Sequence, residues 1–459
     1  MSLFDIIAVR QNQRKRTNFY MPGHIGGNNN TFFKNIFKYD TTEIDCFDDY
    51  HKPKGIIKHG EKLLSKTFYS KKSIYLLNGS TSGILAGMSY LFNEKSKVLV
   101  SRDCHKSVIN GLVVTGANPV YLKPLFNFEI DISLPITLKQ IKKAYSENMD
   151  ACGIVLTYPN YYGVYPENLE DIIRFCKEKG LMVLLDEAHG AHLYFSNFAN
   201  KLGNYCKADI VISSFHKNLT GLTQTAMLHI NNGNFNVTEV RNHVSLVTTT
   251  SPSYIFLTSM DYSRKLYNTK GKKILQNTIE LASYMQDLLE KHKIQYIKDL
   301  SKEYFVDPTK VTVLFPRKYI AQKVYNKLNK HGIFPELLEG RKILFLIKPA
   351  HSKSEIKKTV ALIRRFLHKR KNEKIIDQID LYTYNNSGIS PRAAFYSSSK
   401  WVHLKASIGK ISTSTITPYP PGIPTVMPGE KITEEIVAFI QSFAGEIHGV
   451  EDGHIQVMR

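Results

Sequence analysis

A lysine just after a β-strand becomes a nucleophile once burial or a neighbouring cation lowers its pKa. Lys217 stands at such a place, in Ser213-Ser-Phe-His-Lys-Asn, directly after an apolar run over Asp209–Ser213 that reads as a strand. Asp186 ends a second, very apolar run, Leu181–Leu185, in Leu184-Leu-Asp-Glu-Ala-His-Gly-Ala-His. One βα unit ahead of the lysine, its carboxylate can hold a heteroaromatic ring nitrogen protonated. Taken alone it reads as a cap for the next helix. Leu77-Asn-Gly-Ser-Thr-Ser-Gly closes a strand and opens a helix. Its small residues let backbone N–H groups and the hydroxyls of Ser80, Thr81 and Ser82 approach an anion at a helix N-terminus. Arg102-Asp-Cys-His105-Lys-Ser follows the strand pattern Lys97–Val100 and offers an imidazole that can stack on a flat ring.

An amine, a carboxylate, an anion cradle and a stacking ring are the four demands that pyridoxal phosphate makes of a protein. In a parallel α/β sheet they should come from loops at the carboxyl ends of strands, where ligands bind. All four candidates lie there. A competing reading takes His189 and His192, with Asp186 and Glu187 just before them, as metal ligands. Their spacing differs from the helical zinc signature with histidines four apart, and it leaves the lysine unexplained. We therefore expect no metal.

The elements that must position these groups are legible in the pattern. From about Ile74 to Ile230 short apolar runs alternate with helical periodicity, the sign of an α/β layer with a mostly parallel sheet. Strands are expected at Ser73–Leu77, Lys97–Val100, Asn118–Leu122, Gly153–Thr157, Leu181–Leu185, Asp209–Ser213 and Thr225–Ile230, with helices clearest at Ile84–Phe92 and Asn168–Lys179. A long helix around Lys273–His292 leads into a smaller αβ pattern. There Val311–Phe315 and Ile343–Ile347 read as strands, and Ile320–Lys330 and Lys353–Lys369 as helices. Beyond about Lys374 come short segments rich in Ser, Thr and Pro, with a last helical pattern at Ile432–Phe443. The division expected is 1–270, 271–373 and 374–459.

Bulk composition narrows the classes. With 459 residues, 42% hydrophobic and 22% charged, the chain is a folded enzyme-sized protein. No apolar stretch approaches the ~18 residues of a membrane span, and the basic start has no apolar run behind it, so neither a membrane nor a secretory signal is expected. Five cysteines without paired spacing suit a reducing, cytoplasmic setting. The net charge of +21 raises nucleic acid as a partner. The positive residues are dispersed, however, and the one dense cluster, Arg364 to Lys374, reads as a solvated helix end beside a linker. No groove-binding or base-stacking module accompanies them.

In this order the motifs resemble the Orn/Lys/Arg decarboxylase family, fold-type-I (aspartate-aminotransferase-like) pyridoxal-phosphate enzymes. The resemblance rests on Met21-Pro-Gly-His-Ile-Gly-Gly, Asn78-Gly-Ser-Thr, His105-Lys-Ser, Asp186-Glu-Ala-His-Gly-Ala-His, Ser214-Phe-His-Lys, Thr250-Ser-Pro-Ser-Tyr, Tyr419-Pro-Pro-Gly-Ile-Pro and Pro428-Gly-Glu. It implies a large cofactor-binding domain, a small αβ domain and a C-terminal α+β decarboxylase domain. The cofactor would form an imine with Lys217 and have Asp186 at its ring nitrogen, His105 on one ring face and Ala188 on the other. Ser80, Thr81, Ser82, Ser214 and His216 would hold the phosphate, and His189 joins the cofactor-binding set. Thr250 and Ser251 would reach the phosphate of a partner subunit, since active sites in the family lie at a dimer interface. The chain is similar to the short members, which lack an N-terminal receiver-like domain.

The implied reaction is decarboxylation of lysine, arginine or ornithine to CO2 and a di- or polyamine. The alternatives are transamination or aldol-type cleavage on the same fold, and a basic-surface role with nucleic acid. A cationic substrate calls for acidic groups near its side chain. Asp40, Glu43, Asp45, Asp48 and Asp49 form the dense acidic run available, with a solvated loop as the competing reading. Two positions depart from the family pattern: Ile25 replaces the usual lysine, and Ala393 replaces an acidic residue after Pro391-Arg.

Overall fold

The computed structural model describes residues 2–6, 36, 39–44, 47–298, 300–367, 387–419, 422–443 and 446–459. The Met21–Gly27 motif with Ile25, Asp45, Cys46 and the Lys369-Arg370-Lys371 cluster lie outside them. Two compact units emerge, one from residues 1–91 and 173–272, the other from 92–172 and 273–459.

The first unit holds four strands in the spatial order Lys72–Leu76, Ala226–Ile230, Ile210–Ser214, Met182–Asp186. Ala226–Ile230 runs antiparallel to both neighbours, with Leu228 opposite Ile74 and Ile212. Met182–Asp186 pairs in parallel with Ile210–Ser214, Asp186 opposite Ile212. These strands are buried almost throughout, as sheet strands covered on both faces must be. The helix Gly79–Leu91 lies directly on them through two glycines. A methyl group at Gly83 would stand 2.5 Å from Leu76 and 2.9 Å from Ile212, and one at Gly87 2.8 Å from Leu184. Sequence alone starts that helix at Ile84; its polar first turn carries no apolar periodicity.

The second unit holds three parallel strands, Gly153–Thr157, Lys97–Ser101 and Asn118–Leu122, in that order. A smaller antiparallel sheet joins Lys310–Leu314, Lys342–Leu346 and Leu337–Glu339. Helices Lys318–Lys330 and Lys353–Leu367 pack on it through Val324, Leu328, Ile356, Val360 and Ile363. The last segment pairs Ser399–His403 with His454–Met458 and buries Ile436, Val437 and Ile440 of the helix Glu434–Ser442 against Ile455 and Val457.

The expected α/β class with a mostly parallel sheet is what forms, and the expected strands of the large layer appear within one or two residues. The long helix differs. It runs from Tyr254 to Lys291, 38 residues, and so begins almost twenty residues before the expected start. Gly271 lies inside it at a close approach to Phe195, where a methyl group would meet the ring at 2.8 Å. No helix among the described residues is long and apolar enough to cross a membrane.

Candidate active site

The packing of helix Gly79–Leu91 sets the direction of the site. Gly87 lies near Ile210, and Gly83, one turn earlier, near Ile212. The helix therefore runs opposite to the strand, and its N-terminal turn lies at the end that bears Ser214. Asp186 ends the neighbouring parallel strand at the same edge. The first turn of a helix has N–H groups without intrahelical partners. Gly79, at φ +72, starts that turn with nothing within 4 Å of where a side chain would begin. Its own N–H donates to the carbonyl of Gln224 at 2.8 Å, and Gln224 Nε2 donates to Leu77 O at 3.0 Å. Gln224 is held in the left-handed region, at φ +79, an uncommon conformation for a residue with a side chain.

The hydroxyls of this edge divide by role. Ser82 is buried and donates to Gly79 O at 2.8 Å, so its proton is committed to the turn. Ser80 is half-buried and Thr81 exposed. Ser214 is fully buried, and its Oγ has no hydrogen-bond partner. An unsatisfied buried hydroxyl costs ~1–3 kcal/mol, and an acceptor at the strand end would relieve it. An anion of the size and charge of a phosphate fits this combination of free helical N–H groups and an orphaned hydroxyl. His216 sits half-buried at the same edge, with Nδ1 2.9 Å from Thr225 O.

Lys217 lies in the short turn of helix Phe215–Asn218 that follows the strand. Its Nζ is 3.0 Å from Nε2 of His189, and Asn218 Nδ2 donates to His189 O at 2.6 Å. Asp186 is buried, and its Oδ1 accepts the Ala188 N–H at 3.1 Å. Burial pushes the Asp186 carboxyl above its usual value, and the positive charge of Lys217 pulls it back. A second cation at this edge, such as a protonated ring nitrogen, would favour the carboxylate further.

The adjacent Glu187 faces the other way, as side chains along a strand alternate. Its Oε2 accepts from Tyr194 Oη at 2.7 Å and its Oε1 from Gly203 N at 2.9 Å, and burial raises its pKa to about 7. It holds the segment after Asp186 in place from behind. Thr250 and Ser251 are exposed on this unit.

His105, in the second unit, also follows the carboxyl end of its strand. It caps the helix Lys106–Thr115: Nδ1 accepts the Ser107 N–H at 3.2 Å and lies 2.9 Å from Ser107 Oγ. Asp103 is buried beside it, bonded to Ser101 Oγ and, at 2.9 Å, to Ser133 Oγ.

Nε2 of His189 faces Lys217, and no group of three or more His, Cys, Asp or Glu side chains among the described residues is placed to hold an ion. The acidic run also has other work. Asp48 accepts the N–H groups of Lys54, Gly55 and Ile57 at 2.8–2.9 Å, Asp49 those of His51 and Lys52, and Glu43 that of Tyr50. These carboxylates fold a loop. Two features escaped the sequence reading: the pairing of His189 with the lysine, and a buried tie between Arg102 and Glu430. The first is visible only as a histidine three residues after Asp186. The second links residues 328 apart and has no local signal.

The model of the Orn/Lys/Arg decarboxylase major domain matches residues 3–303, and that of the family's C-terminal domain residues 388–453. The chain belongs to the Orn/Lys/Arg decarboxylase family. It is 30% identical to an arginine decarboxylase of Bacillus anthracis over 472 residues, covering 98% of this chain and 95% of the relative. It is 24% identical to the inducible lysine decarboxylase of Escherichia coli K12, covering 94% of this chain and 77% of that one. Lysine decarboxylase A of Pseudomonas aeruginosa superposes with a TM-score of 0.86 at 19% identity, over 100% of this chain and 80% of that one, which shows the fold. The chain is thus a fold-type-I enzyme of the decarboxylase class.

Proposed function

We propose that this enzyme uses pyridoxal 5'-phosphate to decarboxylate a basic L-amino acid, and that arginine is its first candidate substrate, ahead of lysine and ornithine. The observation that carries the reading is Lys217 beside His189 at the same strand-end edge as Asp186 and the helix N-terminus. Arginine is favoured because relatives of that name align over nearly the whole chain at 30% identity.

When bound, the cofactor supplies an electron sink for the bond pair left by departing CO2. The protein's part is attachment, charge and exclusion of water. Lys217 provides the amine that carries the cofactor. Asp186 provides the negative charge for the ring nitrogen. The helical N–H groups over Ser80, Thr81 and Ser82, with Ser214 and His216, hold the phosphate, while His105 and Ala188 cover the ring faces. His189 Nε2 takes a proton from Lys217 Nζ and leaves the amine neutral for attack. Thr250 and Ser251, exposed on one chain, reach the phosphate of a second copy in a homodimer. The division 1–270, 271–373 and 374–459 and a cytoplasmic setting complete this reading.

The test is product analysis of the purified protein with pyridoxal phosphate and each of the three amino acids. CO2 with agmatine, from arginine, is the expected result. A keto acid in place of CO2 and amine would move the enzyme to transamination, and turnover confined to another basic amino acid would correct the substrate.

A further inference from the structure

The loop that presents His105 is clasped by a segment more than three hundred residues further along. Arg102, three residues before the histidine, is 1% exposed. Its Nη1 donates to Pro424 O at 2.8 Å, and its Nη2 donates to Thr425 O at 2.9 Å and to Glu430 at 2.9 and 3.2 Å. Glu430 is fully buried and also accepts the Met427 N–H at 2.7 Å. Lys106, the residue after the histidine, donates its N–H to Gly422 O at 3.1 Å. The same segment thus grips the loop on both sides of His105.

It also touches the imidazole's surroundings. A methyl group at Gly422 would lie 3.2 Å from His105 Nε2. On the other side of the ring, Nδ1 is fixed by the Ser107 N–H, so the neutral imidazole carries its proton on Nε2. The helix behind His105 is held at its far end as well. Helix Pro391–Tyr396 packs on Lys106–Thr115, and a methyl group at Gly116 would meet the Arg392 guanidinium at 2.7 Å. A cation over a helix C-terminus is favourable.

We propose that Arg102, Glu430 and Gly422 are positioning residues for His105, so that the C-terminal segment sets the angle and depth of the imidazole without itself supplying a reactive group. A buried ion pair gains little net stability over well-packed apolar residues, while loss of one partner leaves an uncompensated charge. Its directional value therefore accounts for a guanidinium that donates to Pro424, Thr425 and Glu430 of one distant segment. This inference rests on the reading that His105 covers the cofactor ring.

The test is a double-mutant cycle on the holoenzyme, with cofactor dissociation constant and visible circular dichroism of the bound cofactor as readouts. Glu430→Gln keeps the shape and removes the charge. In the wild-type background it should weaken cofactor binding about tenfold and alter the dichroic band, and in a His105→Ala background it should do neither. Equal losses in both backgrounds, or none in the first, would overturn the proposal while His105→Ala alone still shows its effect. If His105→Ala leaves both affinity and band unchanged, the placement of His105 at the ring fails and the positioning role goes with it. Arg102→Lys and Gly422→Ala enter the same cycle, so misfolding of one variant leaves the others to decide.

Discussion

Nζ of Lys217 lies 3.0 Å from Nε2 of His189, and the carbonyl of that histidine is bonded to the next residue, Asn218. Two consecutive residues of one loop are therefore tied to one residue of the loop that begins with Asp186. The lysine is not a free arm after a strand; its nitrogen has a base beside it. The proposed proton transfer from Nζ to Nε2 would run along this contact.

His189→Asn tests that proton. The asparagine keeps a polar group near the lysine but titrates nowhere near neutrality. We expect kcat to fall about 10- to 100-fold, at the low end of what a positioned acid–base group contributes, and its acid limb to move. The cofactor should remain borohydride-reducible on Lys217, read by peptide mass. An unchanged kcat and pH profile would remove His189 from the proton path.

Glu187 makes a stability prediction whose sign can be worked out. Its usual pKa of 4.5 is raised to about 7 in the folded protein by burial. Below about pH 4.5 both folded and unfolded chains hold the proton, and its contribution is fully present. As pH rises to about 7 the unfolded chain releases the proton first, and the contribution is lost. The shift corresponds to about 3 kcal/mol. Glu187→Gln should therefore gain stability relative to wild type between about pH 5 and pH 8, read from urea midpoints at each pH. Parallel pH curves for the two proteins would refute the assignment.

Asp48→Ala separates the loop role of the acidic run from a substrate role. The aspartate accepts the backbone N–H groups of Lys54, Gly55, Ile57 and, at 3.4 Å, Lys58 around the start of helix Ile56–Thr67. Loss of those charge-assisted bonds should cost about 2 kcal/mol. KM for arginine should stay within about twofold. A KM that rises for basic amino acids and not for neutral ones would return the residue to the pocket.

The contrast between these residues shows what a sequence can carry. The placement of Lys217, Asp186 and the turn Gly79–Ser82 is legible because each sits where an apolar strand run ends, and strand ends are local features. The glycines that seat helix Gly79–Leu91 on the sheet were readable as small residues, though the strand residues they meet were not. The carboxylates at 43, 48 and 49 illustrate the opposite case: acidic spacing suggested a cation site, and only the fold shows backbone N–H groups converging on them. Arg102 and Glu430 are further still from any local pattern, since the chain must close a loop of more than three hundred residues before they meet.

The last prediction separates attachment from electronics. Lys217→Ala removes the amine beside His189 and leaves Asp186, Ser214 and the helix N-terminus in place. The variant should still bind pyridoxal phosphate, more weakly, yet lose the yellow lysine-linked band that borohydride bleaches. Asp186→Asn should do the reverse. The carboxylate is buried next to one backbone donor and the lysine charge, so the amide fits the space but carries no charge for the ring nitrogen. Cofactor attachment to Lys217 should survive, while kcat falls by about 10²- to 10³-fold, the range for removal of one electrostatic stabiliser in a closed site. Absorbance, borohydride labelling and turnover, measured on both variants, read the two effects apart. A borohydride-reducible link at another lysine in Lys217→Ala would show that the amine of this site has been misassigned.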